Sequence, residues 1–151
     1  MENLELLVNE LRLLPSETPW IEFKHNNYDP QMIGQDICAL ANSATLYEKS
    51  CSYMIWGIDD KTHQVVGTEH NLQNLKLENW LRSLLSDNAD FEFKNMEIEN
   101  KKVGILIIYS ATSFPVKFEK VDYIRIGSYT KKLKEYPMVE AQLWDRLKNI
   151  K

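Results

Sequence analysis

Leu4, Leu7, Val8, Leu11 and Leu14 recur at helical spacing, so residues 2–14 are predicted to form an amphipathic helix stopped by Pro15. From Trp20 to Lys24 the period changes to two: Ile21 and Phe23 face one way, Trp20, Glu22 and Lys24 the other, as in a short half-buried strand. Asp29-Pro30 is an N-cap followed by a first-turn proline. The stripe Ile33, Ile37, Leu40, Ala41 then predicts a core-facing helix that ends at Asn42-Ser43, where those side chains would bond locally. Ser52–Ile58 is apolar enough for a mostly buried strand, closed by the turn-forming Asp59-Asp60-Lys61-Thr62, with Val65–Gly67 pairing back. Leu77, Trp80, Leu81, Leu84 and Leu85 mark a third helix. Phe91–Glu99 and Lys102–Tyr109 form a hairpin across Asn100-Lys101, the second strand apolar enough to be central. Pro115–Phe118 and Val121–Ile126 make another strand pair, and Pro137 opens a helix with the stripe Val139, Leu143, Leu147, Ile150. These elements predict a single α+β domain, an N-terminal helix over 1–15 and one body over 16–151, with helices packed on one mixed sheet.

With 151 residues, 44% hydrophobic and 26% charged, the chain has room for one proper core and is not low-complexity. Its longest apolar stretch, Val103–Tyr109, is too short to span a bilayer, and the acidic Met1-Glu2-Asn3 is unlike a secretory signal. Two cysteines, Cys38 and Cys51, make no disulfide framework; they read as inert free thiols in a cytoplasmic protein. A net charge of −4 argues against a general polyanion binder, but the charge is uneven. Residues 1–30 carry six acids and two bases, whereas residues 115–134 carry six bases and two acids. A fold joining the two regions would set a carboxylate cluster beside a cationic rim.

The five glycines stand alone, so neither a P-loop nor a dinucleotide fingerprint is present, and no nucleotide cofactor is expected. His25, His63 and His70 lack the paired spacing of a zinc site. Three stretches stand out. Glu17 and Glu22 are five apart and meet only if the chain bends between them, for which Pro19 supplies a break. Asp59 and Asp60 sit at the end of a buried strand, a rigid position open to solvent. Tyr123 to Lys131 alternates aromatic, basic and hydroxyl groups suited to base faces and phosphate oxygens. Trp20, Trp56, Trp80 and Trp144 each lie within an apolar pattern and are assigned to the core or a domain interface.

In this order and spacing, Glu17…Glu22-Phe23-Lys24, Ile37-Cys38-Ala39-Leu40-Ala41-Asn42-Ser43, Trp56-Gly57-Ile58-Asp59-Asp60, Val66-Gly67 and Tyr123-Ile124-Arg125-Ile126-Gly127-Ser128 resemble the Schlafen AlbA-like domain family, often labelled a DNA-binding or divergent AAA domain. The resemblance implies an Alba-like α+β fold and nucleic-acid binding, within a regulator in some members. In larger members two lobes form a horseshoe around structured RNA, which for a single lobe implies a homodimer completing the groove. Ribonuclease members cut tRNA or rRNA with two glutamates and one aspartate, here Glu17, Glu22 and Asp60 by position. One departure stands out. Where the family runs from Ala-Asn-Ser through a glycine pair into the strand, this chain has Ala44-Thr45-Leu46-Tyr47-Glu48-Lys49-Ser50-Cys51-Ser52.

Three functions follow as expectations. The first is nucleic-acid binding, DNA or RNA, with Arg125, Lys131, Lys132 and Lys134 on phosphates and Tyr123 and Tyr129 stacking on bases; a solvated strand edge is the plainer alternative for these residues. The second is a metal-dependent endoribonuclease in which Glu17, Glu22 and Asp60 hold Mg²⁺ or Mn²⁺ and Lys24 stabilises the transition state; here the alternative is that these are structural surface charges. The third is a protein-interaction or regulatory domain without nucleic-acid binding.

Overall fold

The computed structural model describes residues 3–149; Glu2, the expected first residue of the N-terminal helix, and Ile150 of the C-terminal stripe lie outside them. Asn3 caps helix α1 (Leu4–Leu11) by accepting the Leu6 amide, and the chain leaves the helix before Leu13, which is exposed. Strand β1 (Ile21–Lys24) leads to α2 (Pro30–Leu46), whose Asp29 cap accepts the Gln31 amide. Strand β2 (Cys51–Trp56), α3 (Leu75–Leu84), the hairpin β3 (Phe91–Ile98) and β4 (Lys101–Tyr109), and the meander β5 (Lys117–Phe118), β6 (Val121–Ile126), β7 (Tyr129–Lys132) follow. A single 3-10 turn, Leu133–Glu135, precedes α4 (Pro137–Lys148). The β3–β4 turn is Glu99-Asn100, one residue earlier than expected, with both residues at positive φ as a two-residue primed turn requires.

The strands form two sheets rather than the expected one. The larger is mixed, in the order β1-β2-β4-β3, with β1 parallel to β2 and the remaining pairs antiparallel; the smaller is the antiparallel β5-β6-β7. Strand β7 escaped the sequence reading because Tyr129–Lys132 has no apolar alternation. The larger sheet has a core on each face. Ile55, Val103 and Ile105 join Ile21, Phe23 and α1 through Val8 and Leu11 on one side. Met54, Trp56, Leu106 and Ile108 join α2, α3, α4 and the small sheet on the other. Burial on both faces is why β2 and β4 read as nearly continuous apolar runs. Strand β1 lies at the sheet edge, and its alternation sends Glu22 and Lys24 to the α2 side.

Helix α2 does not end at Asn42-Ser43. It continues to Leu46, and both side chains are fully buried within the helix, close to its last turn. Asn42 Nδ2 donates to the carbonyls of Val116 (3.0 Å) and Tyr123 (2.8 Å), while its Oδ1 accepts the Val116 amide (2.8 Å). Ser43 Oγ accepts the Arg125 amide at 3.1 Å. Apart from a 3.9 Å contact of Asn42 Nδ2 with Cys38 Sγ, their hydrogen bonds are long-range, and they tie the small sheet to α2. Beyond Ser43 the helix runs on to Leu46, and the chain leaves it through Glu48 at φ 58.

Candidate functional site

The bend between Glu17 and Glu22 is built from two successive turns, Pro15–Thr18 and, across Pro19, Thr18–Ile21, where the Ile21 amide donates to Thr18 O at 3.3 Å. The amide and hydroxyl of Thr18 both donate to Pro15 O, at 3.1 and 2.7 Å. Buried His63 fixes this corner from across the molecule. Its Nδ1, 2.9 Å from the Arg12 carbonyl, donates to that oxygen, and its Nε2 hydrogen-bonds with Ser16 Oγ at 3.2 Å. Arg12 Nε returns a bond to His63 O at 2.7 Å. No local spacing announced His63; only the fold brings it to residues 12–16.

At the far end of β2, Gly57 adopts φ 95, and a Cβ there would stand 2.9 Å from Lys102 O. Its carbonyl accepts the amides of Val66 and Gly67 at 2.8 and 2.9 Å, closing the return of the chain. Within that return Asp59 organises the turn. Its Oδ2 accepts the Thr62 amide (2.7 Å), the Lys61 amide (3.0 Å) and the Thr62 hydroxyl (3.0 Å), which together hold its carboxyl below the usual range. Asp60 is left exposed. Glu17, Glu22 and Asp60 line one cleft of about 400 Å³, whose other walls include Ser16, Ser128 and Tyr129.

Behind the cleft lies a charge network of two acids and two bases. Arg125 Nη2 donates to Glu22 Oε1, and Nη1 donates to Thr130 Oγ1 at 3.3 Å. Thr130 in turn donates to Asp36 Oδ1 at 2.7 Å. Lys24 Nζ stands 3.6 Å from Asp36 Oδ2 and 3.8 Å from Glu22 Oε2. Arg125 is only 3% exposed and Lys24 8%. Neither is the solvent-facing group expected of it: Arg125 does not stand on an open phosphate-binding edge, and Lys24 is absent from the cleft wall. The reason is that β1 and β6 turn their polar residues toward each other across α2, where each charge needs its partner. Asp36 went unnoticed in the sequence, although it is the sole charged residue between Pro30 and Leu46, and the hydroxyl of Thr130, expected among groups for phosphate oxygens, bonds this carboxylate instead.

The remaining binding candidates divide. Tyr123 packs against the core through its partly buried ring, burial pushes its hydroxyl pKa up, and its amide donates to Cys38 Sγ at 3.2 Å; it is no open stacking platform. Tyr129 is 68% exposed, with Lys131 Nζ 5.7 Å from its ring centroid. Lys131, Lys132 and Lys134 are exposed. The thiol of Cys38 is fully buried and pushed up by that burial, consistent with an inert role. Trp56 is a core residue donating to Asn27 O at 2.7 Å, whereas Trp80 and Trp144 are nearly two-fifths exposed.

As folded here the cleft does not fit a divalent cation. Among the described residues no three His, Cys, Asp or Glu side chains are grouped to hold a metal, and Glu22 already faces two cations. Also among the described residues, no helix is long and apolar enough to cross a membrane.

No curated protein matches the sequence. Among solved structures, the DIP2311 protein of Corynebacterium diphtheriae aligns over 97% of this chain at 15% identity with a TM-score of 0.56, which shows a shared fold. This chain spans only 28% of that protein's length. The N-terminal domain of an ATP-dependent DNA helicase RecG-related protein from Nitrosomonas europaea aligns over 87% of this chain and 93% of its own at 21% identity, with a TM-score of 0.49. A family model described as Schlafen, AlbA_2 matches residues 17–134, from the first cleft carboxylate to the last lysine of the cationic rim. The chain therefore belongs to the Schlafen, AlbA_2 family.

Proposed function

We propose that this domain binds nucleic acid through the exposed end of the β6–β7 hairpin and the 3-10 turn that follows. The observation that carries the proposal is the pairing of exposed Tyr129 with Lys131 on a hairpin clamped from behind by the buried Arg125 network. Family membership supports a nucleic-acid-related role. Tyr129 offers a π-face on which a base stacks, and Lys131, Lys132 and Lys134 offer ammonium groups to successive phosphates. Arg125 acts as scaffold: it holds Thr130, and so fixes the strand that carries these side chains.

Fluorescence anisotropy with labelled single-stranded and duplex oligonucleotides over a salt series tests this. Three phosphate contacts give a slope of log K against log salt of roughly −2 to −3, and replacing all three lysines with alanine removes it. Tyr129→Ala weakens single-strand binding by about 1–3 kcal/mol without altering the slope. Absence of binding at low salt, or a slope untouched by the triple variant, overturns the proposal.

Hydrolysis at the cleft is a second function, favoured by one observation: Glu17, Glu22 and Asp60 share its wall with Tyr129 of the same hairpin. Because their arrangement does not fit a metal ion, no metal-dependent step is assigned to them. Incubating the protein with tRNA in EDTA, and in parallel with Mg²⁺ or Mn²⁺, tests it directly. Cleavage lost in both Glu17→Gln and Asp60→Asn supports a nuclease; intact tRNA with either ion removes it.

A further inference from the structure

The segment that departs from the family pattern builds a second cavity, lined by residues that the binding surface does not use. A cavity of about 400 Å³ lies between the end of α2, the entrance to β2, the exit of β4 and the last turn of α4. Lys49 and Arg146 line it with Glu48 and the hydroxyl residues Ser50, Ser110 and Thr112. The walls are tied together. Thr45 Oγ1 donates to Ala111 O at 2.8 Å, the Ser110 amide to Ser50 O at 3.1 Å and the Lys49 amide to Ala44 O at 2.7 Å. Arg146 is held in place by its Nε, which donates to Leu46 O at 3.3 Å, and only one of a guanidinium's five N–H donors is used in that bond. Lys49 Nζ stands 4.5 Å from the Trp20 ring centroid, so its long side chain is also steadied from one side.

We infer that this cavity binds a phosphate monoester carried on a small hydroxyl-bearing body. Two cationic residues, one of them with a guanidinium able to bond two oxygens at once, line the same cavity as a cluster of hydroxyl groups, the donor set that a phosphate dianion takes. The volume exceeds what inorganic phosphate fills, and the Glu48 carboxylate repels a phosphate anion but accepts a hydrogen bond from a sugar hydroxyl. Glu48 to Ser50, in the turn just past the end of α2, supply one wall, and α4 supplies Arg146 from the other side. The same ester chemistry occurs in a free nucleotide or sugar phosphate and at the 5′-phosphorylated end of a nucleic acid.

Titration of the ¹⁵N-labelled protein, followed by amide shifts, tests the site with inorganic phosphate, AMP, ribose 5-phosphate, and short oligonucleotides bearing a 5′-phosphate or a 5′-hydroxyl. AMP and ribose 5-phosphate are expected to shift the amides of Lys49, Ser50 and Ser110 and to bind more tightly than inorganic phosphate. If only the 5′-phosphorylated oligonucleotide does so, the ester comes from a nucleic-acid end and the inferred chemistry stands. Arg146→Gln weakens binding about tenfold or more, the loss of one charge-assisted contact. Glu48→Gln, which leaves both cations in place and so reports on the site even if Arg146→Gln unfolds, strengthens binding of inorganic phosphate. Replacing Lys131, Lys132 and Lys134 leaves the small-ester titration unchanged, which separates this site from the hairpin surface. No shift at roughly 10 mM ligand, well beyond millimolar affinity, or shifts unaltered by both Arg146→Gln and Glu48→Gln, overturns the inference.

Discussion

Replacing Arg125 with methionine removes the guanidinium while keeping most of its apolar length. Glu22 and Asp36 then share a single cation, Lys24, at 3.8 and 3.6 Å. Deleting one partner of a buried ion pair costs about 3–5 kcal/mol. Two features place this site toward the lower end. The Glu22 side chain is 23% exposed and can turn to water through the cleft. Arg125 Nε is buried with no hydrogen-bond partner among the described residues, so its removal returns about 1 kcal/mol. A net loss of about 3 kcal/mol corresponds to a fall in Tm of roughly 6–12 °C for a domain of this size. Differential scanning calorimetry at neutral pH reads the shift, and urea titration checks that the m-value is unchanged. The double variant Glu22→Gln with Arg125→Met should be less destabilised than the sum of its single variants, because the two side chains contact each other. A Tm within about 2 °C of the parent, less than 1 kcal/mol, refutes the reasoning. Weaker nucleic-acid binding with no loss of stability would restore Arg125 to the phosphate-contacting role that the sequence suggested.

Other variants probe the scaffold around the site. Asn42→Ala leaves the Val116 amide and the Val116 and Tyr123 carbonyls without their side-chain partner, so a loss of roughly 2–4 kcal/mol is expected in urea titration, whereas an exposed asparagine would cost almost nothing. Gly34→Ala, normally a helix-stabilising change of about 1 kcal/mol, is expected to destabilise, because the new Cβ collides with the buried Phe118 ring; a raised Tm would contradict that contact. Tyr109 Oη donates to Glu92 Oε2 at 2.7 Å, a bond that pushes the tyrosine pKa up to about 12 and holds the glutamate below its usual value. The tyrosine's contribution to stability is complete below its unfolded value of 10.0 and is lost as pH rises toward 12; the glutamate's is present above 4.5 and is lost as pH falls through its lowered folded value. In Tyr109→Phe the Glu92 carboxyl should titrate higher, toward its ordinary value, by NMR; an unmoved midpoint would show that the hydrogen bond is not its cause.

The amino-acid sequence by itself determined the parts of this protein that depend on neighbours along the chain. The apolar stripe of α2 and its Asp29-Pro30 start, the two-residue alternation of β1 and the apolar runs of β2 and β4 are local signals, because periodicity records which face each element buries. The same motifs, in order, indicated the family. Tertiary structure decided what the polar residues do. Arg125 looked like a surface cation because nothing near it in sequence announces Glu22, which lies 103 residues away. Asn42 and Ser43 looked like a helix end because their partners lie 74 to 82 residues on. Polar side chains favour ends and surfaces unless a distant partner repays their desolvation, and only the folded chain supplies that partner.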